Sequence, residues 1–232
     1  MILFSAMSKI ELLQSVPLFG DLSESSISKI ADQMILRSYS KGQMILMEES
    51  SGETFFVLGK GAVKVTRMSD DGREVILAML GEGDFFGEMS LLDGEGRSAN
   101  IVAIEDSEAL TIKRSEFLAI LENYPKIAIN LLEELTSRLR RSDQQIESLS
   151  LSDAEQRISI TLIRLAEELG TIKSGAVTIR NLPYQQDIAN MAGTSRETVS
   201  RTLKLLMEKG FLKRDGKALI IKDFALFRRQ FT

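Results

Sequence analysis

Across residues 8–33, apolar positions recur at helical spacing: Ile10, Leu12 and Leu13, then Ile27, Ile30 and Ala31. Pro17 and Gly20 break the pattern between them and divide it into two helices. From about residue 34 to 114 the period changes. Short runs rich in Val, Ile and Phe (MILM 44–47, TFFVL 54–58, AVKVT 62–66, EVILAML 74–80, IVAI 101–104, ALTI 109–112) are separated by Gly52, Gly59, Gly61, Asp71-Gly72, Gly81 and Gly83. Short strands punctuated this way predict an antiparallel sandwich or roll.

A long helix is predicted from roughly Pro125 to Leu149. Its apolar seam is Ala128, Leu132, Leu135, Leu139, Ser142, Ile146 and Leu149, spaced alternately by four and three, the a/d pattern of a two-stranded coil. With Glu133, Arg138, Arg140 and Arg141 facing outward, a parallel dimer through residues 128–149 is the expectation; packing of the helix on its own domain is the alternative. The pattern stops near Ser150–Asp153, where Ser152 or Asp153 can cap a new helix. That helix carries Ile158, Leu162, Leu165, Ala166 and Leu169 and ends at Gly170. These boundaries give three parts, residues 1–124, 125–151 and 152–232. No internal repeat or low-complexity linker interrupts them.

The most informative segment is QQDIANMAGTSRETVSRTLKLLMEKG, residues 185–210. Gln185–Met191 reads as a short helix with Ile188 and Met191 inward, Gly193 as a tight turn, and the following residues as a second helix. Thr194 is placed to cap that helix, with Glu197 completing a capping box. Val199, Leu203 and Leu206 share one face. Glu197, Ser200, Arg201 and Lys204 fall within about a 100° arc opposite, with Arg196 at its edge. Major-groove readout needs such a face: basic donors for guanine and one acidic acceptor for cytosine near a helix N-terminus. The alternative is a solvated charged face. Against it stands FLKRDGKALII, residues 211–221, a hairpin about Asp215-Gly216 carrying Lys213, Arg214 and Lys217, a basic wing for phosphates.

Charge supports that division. The net charge of −4 conceals −9 over residues 1–151 (15 basic, 24 acidic) and +5 over residues 152–232 (14 basic, 9 acidic). The chain has no Cys and no His, which removes thiolate iron–sulfur clusters, cysteine nucleophiles, a proximal haem histidine, imidazole metal ligands and a histidine base. No metal, haem or iron–sulfur cluster is expected. No apolar run approaches the roughly eighteen residues that span a bilayer, so no membrane partner is expected. The opening MILFSAMS lacks the basic start and apolar length of a secretory signal, and Met7 is an alternative start. Absence of Cys fits a cytoplasmic protein.

SRETVSRTLKLL, the wing and the preceding roll resemble the cyclic-AMP receptor protein/FNR family of bacterial transcription regulators, over roughly residues 10–230. The resemblance implies an α+β chain: an N-terminal cyclic-nucleotide-binding β-roll, a long dimerisation helix and a C-terminal winged helix-turn-helix. It implies that Arg196, Glu197 and Arg201 read base edges of a TGTGA-type half-site, that Gln186, Ser195 and Thr198 touch phosphates, and that Lys204 adds a contact. It further implies a palindromic double-stranded operator and RNA polymerase as a partner.

FFGEMSLLDGEGRSAN, residues 85–100, carries the second resemblance. Arg97 offers a planar fork suited to phosphate, Ser98 an uncharged donor, and Glu88 an acceptor suited to a sugar hydroxyl. An internal Glu88–Arg97 salt bridge is the alternative. In the family's phosphate-binding cassette, the positions of Gly87 and Glu88 hold the ribose and those of Arg97 and Ser98 the cyclic phosphate. A Thr-Ser pair on the family's long helix aligns with Ser142-Asp143 here. Cyclic AMP is the expected effector. Asp143 departs from the family and, as an acceptor-only carboxylate, keeps cyclic GMP or no nucleotide open, as it does a merely solvated side chain. The rival class is a cyclic-nucleotide-binding regulatory subunit that does not act on DNA. An enzyme is not expected, because no carboxylate pairs with a nucleophile or metal cluster at interpretable spacing.

Overall fold

A computed structural model of the chain describes residues 8–231; the expectations about Met1 and Met7 lie outside it. Within the described residues two compact units emerge, residues 8–66 with 80–140, and residues 67–79 with 141–231.

The first unit opens with α1 (Lys9–Ser15), a 3-10 turn (Pro17–Phe19) and α2 (Glu24–Gln33). Ser8 and Glu11 form a capping box on α1, and Ser23 caps α2. The strands follow: β1 (Ile35–Tyr39), β2 (Met44–Leu46), β3 (Thr54–Lys60), β4 (Val63–Met68), β5 (Glu74–Leu80, residues 74–79 of which count with the second unit) and β6 (Phe85–Phe86). A short helix α3 (Met89–Asp93), β7 (Asn100–Ala103), β8 (Ser107–Lys113) and α4 (Arg114–Asn123) complete the series before α5 (Pro125–Leu151). Two four-stranded sheets result, ordered β1-β8-β3-β6 and β2-β7-β4-β5, with antiparallel pairing. This is the expected roll. It includes two strands the hydrophobic pattern did not predict: the two-residue β6, and β1, whose residues are almost all exposed on a sheet edge.

The core of this unit joins α1 and α2 (Leu13, Ile27, Ile30) to the inner sheet face (Phe55, Val57, Leu110) and to Phe117. Phe55 stacks on Phe117 at 4.2 Å and leans on Phe85 at 5.5 Å. Ile127 and Leu131 of α5 are fully buried in the same core, and Leu135 packs against it. One of the expected seam positions is therefore corrected, since Leu135 packs against the unit's own core; Ala128 is half-buried. A narrower stripe remains in the open, with Leu132, Leu139 and Ile146 each more than 60 % exposed and seven residues apart.

In the second unit, Asp153 rather than Ser152 caps α6 (Ala154–Leu169), accepting from Gln156 N at 2.9 Å. An unexpected hairpin of β9 (Gly170–Lys173) and β10 (Ala176–Ile179) follows, so Gly170 opens a strand as it ends the helix. Next come α7 (Gln185–Ala192), α8 (Arg196–Glu208), β11 (Leu212–Asp215), β12 (Ala218–Ile221) and α9 (Phe224–Phe231). The four strands form one sheet, β11-β12-β10-β9. Phe211 meets Phe227 and Phe231 edge to face at 5.8 Å, and Phe227 and Phe231 lie tilted at 4.9 Å, a cluster that holds α9 in place. No helix among the described residues is long and apolar enough to cross a membrane.

Candidate ligand cassette and nucleic-acid interface

β6 ends at Phe86, and the chain then turns through Gly87 into α3. Gly87 has φ 83°, and a Cβ there would lie 2.8 Å from Arg97 Nη1 and 3.0 Å from Thr54 O, so only glycine fits. Arg97 is buried at 5 % exposure. Its Nη1 donates to Gly87 O at 2.7 Å and Ser90 Oγ at 2.8 Å, and its Nη2 donates to Thr54 O at 2.8 Å. A guanidinium has five N–H donors. Three are held by the protein, which fixes the plane of the fork, while the buried Nε has no hydrogen-bond partner. A buried donor without an acceptor is costly, so an anion supplied from outside would satisfy what the fold leaves open. Burial draws the Arg97 pKa below its ordinary value, and Glu88 and Glu53 push it back. Ser98 is exposed, and its hydroxyl donates to Met89 Sδ at 3.5 Å.

Glu88 is 4 % exposed. Its cation is Arg138 of α5, with Nη1 3.3 Å from Glu88 Oε1. The same guanidinium bonds Glu134 at 3.0 Å and Phe85 O at 2.9 Å, and lies 4.4 Å from the Phe85 ring centroid. Burial raises the Glu88 pKa, opposed first by Arg138, then by a bond to its own backbone and then by Arg97. The helical periodicity predicts an outward charged face for Arg138; it is instead turned inward onto the cassette. No local pattern signals this, because its partner stands 50 residues away. Gly87, Glu88 and Arg97 therefore come together with Arg138. Ser142 and Asp143 lie at exposed positions of α5 in the other unit.

In that second unit α7 buries Ile188, Ala189, Met191 and Ala192, and ends at Gly193 in the left-handed region (φ 58°, ψ 48°). Thr194 does not cap α8, because its N–H still closes α7 onto Ala189 O at 3.1 Å. Ser195 is the cap, accepting from Thr198 N at 3.2 Å. The expected capping box with Glu197 is thus replaced by a Ser195–Thr198 pair, and Glu197 stands exposed with no capping role. α8 buries Val199, Thr202, Leu203 and Leu206. Arg196, Glu197, Ser200, Arg201 and Lys204 are exposed opposite, with Gln186 exposed on α7. Thr198 is half-buried and accepts from Arg201 Nη2 at 3.3 Å. The wing forms as expected, but Asp215 pairs with Ala218, so the turn is Gly216-Lys217 rather than Asp215-Gly216. Lys213, Arg214 and Lys217 are exposed on it.

One positioning residue carries no sequence signal. Arg157 of α6 donates to Ala192 O at 2.9 Å, Gly193 O at 3.2 Å and Ser152 O at 2.8 Å. The first two bonds satisfy carbonyls at the end of α7, which a helix leaves unpaired, and so brace the turn before α8, while the third ties Arg157 to the junction of α5 and α6.

Residues 36–124 match the cyclic nucleotide-binding domain model, and residues 156–229 match the Crp-like helix-turn-helix domain model. The "Cyclic AMP receptor protein" of Thermus thermophilus is 35 % identical over 92 % of this chain and 96 % of its own length. The chain belongs to the cyclic-AMP receptor protein/FNR family of transcription regulators. A "CRP-like cAMP-activated global transcriptional regulator" of Mycobacterium tuberculosis is 30 % identical over 92 % of the chain and 95 % of its own. Among solved structures, FixK2 from Bradyrhizobium japonicum covers 86 % of this regulator and 98 % of its own chain, at 25 % identity and a TM-score of 0.76. The regulator accordingly couples a cyclic-nucleotide-binding domain to a DNA-binding domain. Its family is one of transcription regulators, not enzymes, and the rival in which the cassette serves a subunit that does not act on DNA falls. Among the described residues no group of three or more carboxylates is placed to hold a metal ion.

Proposed function

We propose that the regulator is a cytoplasmic homodimer that binds a palindromic, TGTGA-like operator under control of a cyclic nucleotide, cyclic AMP, and acts on RNA polymerase. The observation that carries the DNA part is the bipolar α8, four buried side chains on one side and Arg196, Glu197, Ser200, Arg201 and Lys204 exposed on the other. In this reading Arg196, Glu197 and Arg201 meet base edges. Gln186, Ser195, Thr198, Lys204 and the wing residues Lys213, Arg214 and Lys217 meet phosphates. Residues 152–232 form the DNA-binding part, 1–124 the effector part and 125–151 the dimer helix. Pairing through Leu132, Leu139 and Ile146 would cover apolar side chains that the single chain leaves in water. Two copies of α8 would then reach successive major grooves about 34 Å apart.

Gly87 and Glu88 hold the ribose, and Arg97 and Ser98 the cyclic phosphate. The unsatisfied Arg97 Nε and the buried acceptor of Glu88 support that assignment. Ser142 and Asp143 are assigned to the base. The names of the relatives support cyclic AMP; Asp143 favours cyclic GMP as the second reading, since guanine presents adjacent N1–H and N2–H₂ donors to a carboxylate. Titration calorimetry with both nucleotides, followed by operator binding with and without each, tests the scheme. Tighter DNA binding with cyclic AMP, by roughly the 5- to 150-fold typical of allosteric coupling, and a steep loss of affinity with salt are expected. Equal DNA affinity with and without either nucleotide would overturn effector control, and a flat salt response would overturn the DNA face.

A further inference from the structure

Met89 opens α3 beside the buried Glu88 and is 49 % exposed. Its sulfur accepts the Ser98 hydroxyl at 3.5 Å. With no Cys and no His in the chain, methionine is the oxidisable sulfur available. Met34, Met79 and Met191 are buried; Met44, Met47 and Met68 are about as open as Met89 but stand outside the cassette.

We propose that Met89 is an oxidation site through which hydroperoxides control capture of the ligand's phosphate. The proposal rests on Ser98 as a phosphate donor. The Met89 sulfur lone pair attacks one oxygen of hydrogen peroxide. An S–O bond forms as the O–O bond breaks, and the departing hydroxide takes the proton of the transferred hydroxyl to become water. Sulfur is oxidised by two electrons and the peroxide reduced by two. A thioether is a weak acceptor, so in the reduced protein the Ser98 hydroxyl is readily turned to a phosphate. A sulfoxide oxygen at the same place is a strong acceptor and bulkier, and it holds that hydroxyl. The other face of the cassette, Arg97 with Gly87, Ser90 and Thr54, is untouched by the change, so the effect is on affinity and not on folding.

The test uses the full-length regulator, reduced and after mild hydrogen peroxide, with peptide mass spectrometry locating the sulfoxides and calorimetry measuring cyclic AMP and cyclic GMP affinity. Oxidation at Met89 should weaken the bound nucleotide about tenfold or more, the scale of a hydrogen bond to a charged group. Methionine sulfoxide reductase should reverse it. In Met89→Leu the oxidised and reduced affinities should be equal, and Met89→Gln, which places an amide oxygen near Ser98, should bind weakly without any oxidant. Full Met89 oxidation with unchanged affinity, or a Met89 that stays reduced while Met47 and Met68 oxidise, overturns the proposal and leaves the phosphate reading standing. A reduced protein that binds neither nucleotide overturns the phosphate reading, and the proposal with it.

Discussion

Replacing Arg138 by Met removes the cation from a carboxylate that cannot reach water. Glu88 is 5 % exposed at its side chain and Arg138 is 24 % exposed. Breaking a buried ion pair by deleting one partner costs about 3–5 kcal/mol. Because Arg138 keeps a quarter of its surface in solvent, we place the loss at about 2–3 kcal/mol. That lowers the thermal midpoint by roughly 5–10 °C for a chain of this size. The loss must also depend on pH. Burial already raises the Glu88 pKa, and Arg138 is the first influence holding it down, so Arg138→Met raises it further. A group whose pKa is raised on folding contributes stability that is full below the unfolded glutamate value, about 4.3, and is lost as pH rises through the folded value. The gap between wild type and Arg138→Met is therefore small near pH 4 and widens toward pH 8.

Urea unfolding followed by circular dichroism, at intervals from pH 4 to 8, measures that gap. A second arm adds Glu88→Gln to Arg138→Met, which removes the stranded charge. The double variant should recover much of the stability at pH 7 and little at pH 4. A gap that is flat across pH, or a double variant no more stable than Arg138→Met at pH 7, would refute the view that Arg138 serves mainly to neutralise Glu88. Its stacking on Phe85 and its bond to Phe85 O would then be what Arg138 chiefly contributes.

Arg201→Ala should weaken operator binding by about 5- to 150-fold, the 1–3 kcal/mol of a bidentate base contact, with nucleotide affinity unchanged; fluorescence anisotropy and calorimetry check the two halves. Leu139→Glu places a charge in the middle of the exposed stripe and should shift sedimentation toward a monomer, and an unchanged dimer would remove that stripe as the interface. Ser195→Ala deletes the cap of α8 and should cost about 1 kcal/mol in urea unfolding, whereas Thr194→Ala, at the position that spacing alone favours for the cap, should cost less.

The parts of the fold that sequence made legible are those whose signal is local. Strands bounded by glycine, the αL turn at Gly193 and the apolar faces of α7 and α8 all follow from periodicity and backbone freedom within a few residues. β9 and β10 also carry a local signal: Ser174 and Gly175 both adopt positive φ, 51° and 82°, the demand of a tight hairpin turn met by a Ser-Gly pair between β-branched residues. β1 has almost none, since an exposed edge strand need not alternate. The site divides the same way. Gly87, Glu88, Arg97 and Ser98 sit within one short segment and are visible as a unit, but which cation faces Glu88 depends on how α5 packs, and that is a property of the core.

The turn of α5 explains why periodicity misplaces Arg138 and Leu135 together. A strict seven-residue seam treats one face as interface and everything else as solvent. α5 has two buried obligations: Ile127, Leu131 and Leu135 recur every four residues and follow the unit's own core, and Arg138, three residues past Leu135, returns to the face of Ile127 and Leu131. Leu132, Leu139 and Ile146 recur every seven and remain outside. A helix with 3.6 residues per turn can carry both stripes because four-residue and seven-residue repeats drift in opposite senses around it. The residue that faces the ligand cassette is then found not by asking which charges are exposed, but by asking which charge returns to the angular face of Ile127 and Leu131 after Leu135, and at 3.6 residues per turn that is Arg138.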